Sequence, residues 1–320
     1  MTLDGAILTS EHLPNLEWFQ GPQLLKIDEG YRIYFSTRIR DKEKFYYSDV
    51  SYVDFDSDFT SILGKNTSSV IRRSPLGAFD HDGIFPFHVI RTSNKRIFGF
   101  TCGWKRKVSV DIDMSIGVSE SMDGGRTFER LAPGPILTAN AFEPFLVGDP
   151  FVIADDQETF HMFYISGIAW HKDSLNKRER EYLIMHATSK DLISWNREAN
   201  PIIKVRNLLE AQAMPSVVEY KGIFHMFYAY RSVFDFRNNH KNTYRLGHAY
   251  ASSLNGSWKT SSWSLPQSAI SGWNNFMQCY PHVILKDERL YLFYNGNGFG
   301  RYAIGLLVID ADEMSVYARF

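Results

Sequence analysis

The chain has 320 residues, of which 44% are hydrophobic and 22% charged, a composition typical of soluble globular proteins. Its 35 basic and 36 acidic residues give a net charge of −1, which argues against binding to nucleic acid or to a membrane surface. No apolar stretch reaches the roughly 20 residues of a membrane helix. The short charged runs 105–107 and 177–181 are expected to be solvated loops.

The N-terminus has neither the basic nor the apolar region of a signal peptide. Two cysteines, Cys102 and Cys279, lie far apart in the sequence, and nothing in their spacing indicates a disulfide. These features predict a cytoplasmic protein with reduced thiols.

One sequence pattern occurs five times along the chain: a proline, an apolar run, a short polar turn and an aromatic-rich strand. The prolines lie 64 to 66 residues apart, at Pro22, Pro86, Pro150, Pro215 and Pro281. Alternating β-branched and aromatic residues are typical of strands. The aromatic-rich strands are predicted at 31–36, 96–100, 160–164, 224–228 and 290–294.

A third strand of alternating small and apolar residues follows, for example at 115–119, 184–189, 246–252 and 304–308. Pairs such as Asp123-Gly124 and Asn255-Gly256 favour tight turns after these strands. No amphipathic helix is evident. Repeats of three or four strands predict an all-β chain, a single five-bladed β-propeller domain spanning residues 1–320. Solenoid repeats are shorter, roughly 20 to 47 residues, and a sandwich does not need five equal modules.

Within the predicted blades, Met162, Phe163, Met226 and Phe227 of the second strands are expected to be core residues. The loops before the first strand and after the second strand are expected to open at one end of the propeller. Carboxylates, arginines, aromatics, histidines and amides occupy these loops, which is the composition of a pocket for sugars or anions. For each residue alone, a turn or a salt bridge is the structural alternative.

The segment around the third proline resembles the five-bladed propeller glycosidases, the superfamily of glycoside hydrolase families 32, 43, 62, 68 and 130. The resemblance rests on Gly148-Asp149-Pro150-Phe151-Val152-Ile153, on Asp155-Asp156, and on Phe160-His161-Met162-Phe163-Tyr164. It is reinforced by the similar starts of the fourth and fifth repeats. In that superfamily three carboxylates enter the funnel as base or nucleophile, as an orienting group, and as acid. By position, Asp149 matches the carboxylate that stabilises the transition state and tunes the acid.

The sequence departs from that family pattern at two positions. The first repeat begins with Trp18-Phe19-Gln20-Gly21-Pro22 and has no carboxylate at this position. In the fourth repeat, Ala213 occupies the position at which the family has the Glu that acts as the acid. Asp82 is the predicted substitute for the missing first carboxylate and Glu210 the predicted substitute for the acid, with Glu143 in reserve. Glycosidic cleavage needs a proton donor and a second carboxylate, and grouped carboxylates shift each other's pKa values apart.

The remaining candidates are expected to bind substrate. Trp104, Trp170 and Tyr280 would stack on sugar rings. Arg38 and Arg231 would hold a carboxylate or phosphate. The candidates for hydrogen bonds to the substrate are His81, His171, His282, Asn295 and Asn297.

The sequence thus predicts a carbohydrate-active enzyme, first of all a glycoside hydrolase that acts on a small or activated glycoside. Two alternatives stay open: a phosphorylase that uses inorganic phosphate, and a non-catalytic propeller that binds glycans. A reaction on a nucleotide sugar has no support from a glycine-rich phosphate loop. No cofactor or metal site is predicted, although an ion in the central channel near His282 is an option. The oligomeric state is left open.

Overall fold

The computed structural model describes residues 5–42 and 45–318, and within them it confirms the all-β class. Two short 3-10 helices (Gln267–Ala269 and Ala311–Val316) and one short turn, α1 (Asn297–Gly300), in which Gly298 and Phe299 have positive φ, accompany the strands. The strands are β1 (Gly5–Thr9), β2 (Gln20–Ile27), β3 (Gly30–Arg40), β4 (Tyr46–Asp56), β5 (Ile62–Asn66), β6 (Gly83–Arg91), β7 (Ile97–Arg106), β8 (Ile112–Ser121), β9 (Glu129–Arg130), β10 (Val147–Ala154), β11 (Phe160–Lys172), β12 (Arg178–Ser189), β13 (Asn196–Arg197), β14 (Glu210–Tyr220), β15 (Ile223–Ser232), β16 (Arg245–Ala251), β17 (Lys259–Thr260), β18 (Cys279–Lys286), β19 (Arg289–Asn295) and β20 (Ala303–Asp310).

The helices of the described residues are all too short or too polar to cross a membrane.

The strands fall into five groups of four, which we call units 1 to 5. Units 1 (β2–β5) and 2 (β6–β9) belong to one sheet, in which two antiparallel groups meet through a single parallel pairing of Ser48 with Gly83. Units 3 (β10–β13) and 4 (β14–β17) are separate four-stranded sheets. Unit 5 has the order β1-β20-β19-β18, so the first strand of the chain completes the sheet formed by the last three.

Each of the five repeated prolines lies at a register shift in the first strand of its unit. The residue before the proline has a positive φ in four units: Gly21 (62°), Asp149 (49°), Met214 (50°) and Tyr280 (56°). In unit 2 the Phe85–Pro86 peptide bond is cis. A bulge redirects the side chains next to it. The proline repeat therefore marks the place where each first strand changes the direction of its side chains.

The first strands contact one another in a ring, β2 with β6, β6 with β10, β10 with β14, β14 with β18 and β18 with β2. Behind them, the second strands supply large aromatic side chains that are fully buried between the units. The prediction that Met162, Phe163, Met226 and Phe227 are core residues is confirmed, since all four are fully buried. The ring brings the residues before the prolines together from different units.

The prediction that the charged run 177–181 is a solvated loop is wrong. Arg178 begins β12, and Glu179 is only 3% exposed. Side chains alternate between the two faces of a strand, so Arg180 and Tyr182 share one face. Glu179, on the opposite face, forms ion pairs with Lys177 and Arg237. Residues 178–181 are thus part of a sheet, and their charged side chains lie on its two faces.

Candidate active site

A cavity of about 280 Å³ is lined by residues from all five units. Its charged lining residues are Arg38, Asp111, Asp149, Arg180 and Arg237. Its aromatic lining residues are Phe85, Trp104, Tyr182, Tyr244 and Tyr280. Three of the lining residues, Phe85, Asp149 and Tyr280, directly precede a repeated proline. Three of the five bulges therefore contribute the residue before their proline to this pocket.

Asp149 is the buried carboxylate of this cavity, with 6% of its surface exposed. Its Oδ2 accepts a hydrogen bond of 3.1 Å from the backbone N–H of Met214, which belongs to the neighbouring unit. Burial raises the pKa of Asp149 to about 7, although the Met214 N–H and the charge of Arg180 act in the opposite direction. A carboxyl group with such a pKa carries its proton near neutral pH and is able to donate it.

Three arginines face the cavity, and two of them have no carboxylate partner among the described residues. Arg38 donates from Nε to Oε1 of Gln20 at 2.7 Å, and its guanidinium lies 5.3 Å from the ring centre of Trp18. Burial lowers the pKa of Arg38, and the nearby charges of Arg180 and Arg237 lower it further, while Tyr280 raises it. Within residues 5–42 and 45–318, the guanidinium of Arg180 donates no hydrogen bond to another residue.

Arg231, predicted to hold an anion, is 2% exposed and does not line the cavity. It donates to the hydroxyl groups of Tyr244 (3.1 Å) and Tyr182 (3.2 Å) and to the carbonyl oxygens of Ser232 and Val233. The two tyrosine hydroxyls also share a hydrogen bond of 2.6 Å. Arg231 therefore supports the tyrosine wall of the cavity from behind.

The structure does not bring the three predicted catalytic carboxylates together, because Asp82 and Glu210 lie outside the cavity lining. Asp82 pairs with the guanidinium of Arg106 and accepts its backbone N–H at 2.7 Å. Glu210 accepts hydrogen bonds from the N–H of Arg206 (3.0 Å) and from Nε2 of Gln212 (3.1 Å). Both carboxylates are buried with these partners. A catalytic role for either stays a prediction.

Glu143, the reserve carboxylate, is also buried away from the cavity lining. It accepts a hydrogen bond from the hydroxyl of Tyr164 at 2.9 Å and lies 3.0 Å from Nη1 of Arg197. These contacts join strands of unit 3 to the preceding loop.

Among the predicted substrate-binding residues, Arg38, Trp104 and Tyr280 line the cavity. His81 is half-buried, and its Nε2 lies 3.9 Å from Oδ1 of Asp82. Outside the lining, His171 pairs with Glu181 at 2.8 Å. Trp170, also outside, packs against the hydrophobic core.

The side chains of the two predicted asparagines form hydrogen bonds with nearby backbone groups. Asn295 is fully buried and donates to the carbonyl oxygens of Phe19 (2.7 Å) and Ala303 (2.9 Å). The side-chain oxygen of Asn297 accepts the backbone N–H groups of Phe276 and Met277, both at 2.9 Å. Neither asparagine lines the cavity.

His282 lies among the first strands, with its ring centre 6.2 Å from that of His88. Its Nε2 accepts the N–H of Leu24 at 3.3 Å, and its buried Nδ1 has no hydrogen-bond partner. Burial lowers the pKa of His282. Among the described residues, no three His, Cys, Asp or Glu side chains are grouped as a metal site would require. An ion near His282 would therefore have fewer than three ligands from such residues, and its presence stays a prediction.

Sequence reasoning missed Arg180, Tyr182, Arg237 and Tyr244 as cavity residues. Arg180 and Tyr182 stand two positions apart at the start of β12, and this alternation was the available signal. Tyr244 directly precedes β16, and Arg237 lies in the loop between β15 and β16. No local pattern distinguishes these two from other loop residues.

No protein-family model matches the sequence. Two proteins of Mycobacterium tuberculosis, MT1551 of strain CDC 1551 and Rv1502 of strain H37Rv, are each 27% identical to it over 303 residues. Each match covers 93% of this chain and 92% of the relative. The likeness therefore extends over nearly the whole length of both proteins.

Solved structures share the fold at low sequence identity. The BT0996 RGII complex has a TM-score of 0.73 and 16% identity, covering 96% of this protein and 91% of its own length. A thermostable family-43 glycoside hydrolase has a TM-score of 0.63 and 14% identity, covering 92% and 89%. A structure from work on family 130, whose mannoside phosphorylases include hydrolases of β-1,2 mannosidic linkages, has a TM-score of 0.68 and 12% identity, covering 92% and 85%. The chain thus has the fold of the propeller glycoside hydrolases of families 43 and 130.

Proposed function

We propose that units 1 to 5 are the blades of one five-bladed β-propeller domain spanning residues 1–320. The ring of contacts among the five first strands supports this arrangement. The pairing of β1 with β20 supports it too, because it joins the two ends of the chain in one sheet. In such a propeller, the cavity lies at the end of the axis towards which the residues before the prolines point.

On this fold we propose a carbohydrate-active enzyme in which Asp149 donates a proton to the glycosidic oxygen of its substrate. The observation that carries the proposal is the buried carboxyl group of Asp149 in the cavity, with its pKa raised to about 7. Ligand pockets commonly measure about 300–1,000 Å³. A cavity of about 280 Å³ therefore favours a small glycoside, and the aromatic rings of Trp104 and Tyr280 are suited to pack against a sugar ring.

In the hydrolytic version of the reaction, the bond between the anomeric carbon and the glycosidic oxygen breaks as Asp149 transfers its proton to that oxygen. A water molecule adds to the anomeric carbon and loses a proton to a base. Asp111 is the other carboxylate among the described lining residues and is exposed at the cavity. It is the group we propose as that base.

A phosphorylase is the second candidate, and the single buried carboxylate of the cavity favours it. An oxygen of inorganic phosphate would form the new bond to the anomeric carbon, so no base would be needed. Asp149 would again protonate the departing oxygen, and the products would be a sugar 1-phosphate and an alcohol. Of the two arginines predicted to hold phosphate, Arg38 lines the cavity and Arg231 is bound elsewhere.

The proposed acid is tested with Asp149→Asn and a series of glycosides whose leaving groups differ in basicity. The amide is able to keep the hydrogen bond from Met214 but has no proton to transfer. We expect turnover of glycosides with basic alcohol leaving groups to fall about 10²- to 10⁴-fold. The loss should shrink for nitrophenyl glycosides, because their leaving groups need little protonation. Initial rates across the series measure this dependence.

Glu120→Gln is the matched control, since it neutralises a carboxylate that pairs with Arg96 outside the cavity lining. It should show the same ratio of rates across the leaving groups as the wild type. A loss in Asp149→Asn that is equal for every leaving group would reject the acid role. Turnover that requires inorganic phosphate and yields sugar 1-phosphate would select the phosphorylase. Binding of glycans without turnover would support the third alternative, a non-catalytic propeller that binds glycans.

A further inference from the structure

The cavity carries more positive charge than its surroundings balance. Arg38 and Arg180 have no carboxylate partner among the described residues, while Arg237 pairs with Glu179. Of the two carboxyl groups among the described lining residues, the exposed Asp111 supplies one negative charge, whereas Asp149 keeps its proton below its pKa of about 7 and contributes little negative charge in mild acid. Unpaired charges in a confined, partly desolvated site are costly unless an opposite charge joins them. Since Asp111 offsets at most one of the two unpaired arginines, a ligand is the available source of the remaining negative charge.

We infer that Arg38 and Arg180 form an oxyanion subsite, so that the ligand of this cavity is an acidic sugar carrying a carboxylate or a phosphate group. The inference deepens the proposed function, because the statement that the ligand is a sugar rests on that function. Guanidinium groups bind both oxyanions through two parallel N–H donors. The two groups lie in units 1 and 3, so the subsite exists only in the assembled ring.

Arg38 is held in place before any ligand arrives. Its Nε donates to Oε1 of Gln20, whose Nε2 in turn donates to the carbonyl oxygen of Phe299 at 2.6 Å. The guanidinium also lies over Trp18. Within the described chain, its two terminal nitrogens donate no hydrogen bond, so they remain able to bind an anion. A fixed donor group loses little conformational entropy on binding.

Arg180 connects the subsite to the acid. Arg180 and Asp149 line the same cavity, and the positive charge of Arg180 lowers the pKa of Asp149. An anion bound to Arg180 would offset that charge and help Asp149 keep its proton. An acidic group on the sugar would thereby support proton donation, whereas a neutral sugar would leave the arginine charge uncompensated.

The subsite is tested by isothermal titration at constant ionic strength with four probes: inorganic phosphate, glucose 1-phosphate, glucuronate and glucose. We expect at least one of the two acidic sugars, glucose 1-phosphate or glucuronate, to bind, and glucose to bind more weakly or not at all. Arg180→Gln should weaken anion binding about ten- to a hundredfold, the loss of one charged hydrogen-bonding group. Arg180→Lys should recover part of the affinity for anions, because lysine restores the positive charge but lacks the planar guanidinium with its two parallel donors.

Arg96→Gln is the control, since Arg96 is an exposed residue paired with Glu120 away from the cavity. It should bind the anions like the wild type. Asp149→Asn should bind them as well as or better than the wild type, so loss of turnover and loss of the subsite are separable. Preference for glucuronate or for the phosphates identifies the oxyanion. The inference would be overturned if no anion binds, or if glucose binds as well as the anions. It would also be overturned if inorganic phosphate binds but neither acidic sugar does. Equal effects of Arg96→Gln and Arg180→Gln would overturn it as well.

Discussion

Asp149 owes its properties to its backbone position and to its neighbours. Its left-handed backbone, just before Pro150, lies at the register shift between Gly148 and Phe151. The side chain is buried beside Cys102, and its carboxylate accepts the N–H of Met214, which also has a positive φ. Two bulges from adjacent units thus combine to isolate one carboxyl group from water.

This isolation predicts a pH dependence of stability that Asp149→Asn removes. The pKa of Asp149 is about 7 in the folded protein, above its ordinary value of 3.8. The stability that comes from keeping the proton is complete below pH 3.8 and is lost as the pH rises through 7. Relative to the Asp149→Asn variant, the free energy of unfolding of the wild type should fall by roughly 2–3 kcal/mol between pH 5 and 8. Urea denaturation of both proteins at the two pH values measures the difference, and a constant difference would contradict the prediction.

At the level of strands, units 3 and 4 repeat a buried pair of histidines. His161 on β11 faces His186 on β12, with Nδ1 and Nε2 3.0 Å apart. His225 on β15 faces His248 on β16 in the same way at 3.1 Å. One histidine of each pair lies in the segment Phe-His-Met-Phe-Tyr, which recurs in both second strands, and the other lies in the third strand of the same unit. Burial lowers the pKa values of His186 and His225 to about 4.

These lowered pKa values predict that mild acid destabilises units 3 and 4. A histidine that stays neutral in the fold contributes its full stability above pH 6.5 and loses it as the pH falls towards 4. The free energy of unfolding should therefore decrease by a few kcal/mol between pH 7 and 4.5. His225→Gln should reduce the slope of this decrease, as seen in urea denaturation at several pH values. Thr188→Val, which removes no titratable group, should leave the slope unchanged. Equal slopes in wild type and His225→Gln would argue against the buried neutral imidazole.

At the level of the whole molecule, the N-terminal strand holds the last unit together. Leu8 of β1 pairs with Ile304 of β20 and is fully buried in one cluster with Phe19 and Leu306. This cluster joins residues from the first strands of the chain to residues near its end. The ring of units therefore depends on contacts that span almost the full sequence.

Leu8→Ala should consequently destabilise the entire protein. A leucine truncated in a packed core costs about 2–5 kcal/mol, and we expect a single cooperative transition at a lower denaturant concentration. Leu63→Ala, at a position that is 48% exposed on β5, should change the stability by less than about 0.5 kcal/mol. Circular dichroism during urea denaturation reports both effects. Similar small effects of the two substitutions would show that β1 is dispensable for stability.

The sequence by itself determined the all-β class and the repeating unit, and it singled out Asp149 as a site candidate. Alternation of side chains and tight turns are local properties, so they identify strands without tertiary information. The repeated proline marks a bulge in each first strand, and this is why Asp149 and Tyr280 were recognisable as pocket residues.

Only the tertiary structure decided which charged groups face the cavity. Asp82 and Glu210 stand near the same kind of proline, yet Arg106 and Arg206 bind them outside the cavity lining. Arg180, which lies in the charged run 177–181, is brought to the pocket by β12. The physical reason is that the availability of a charge depends on the partners that distant strands place around it. A sequence pattern specifies which face a side chain takes, whereas its partner is chosen when the five units assemble.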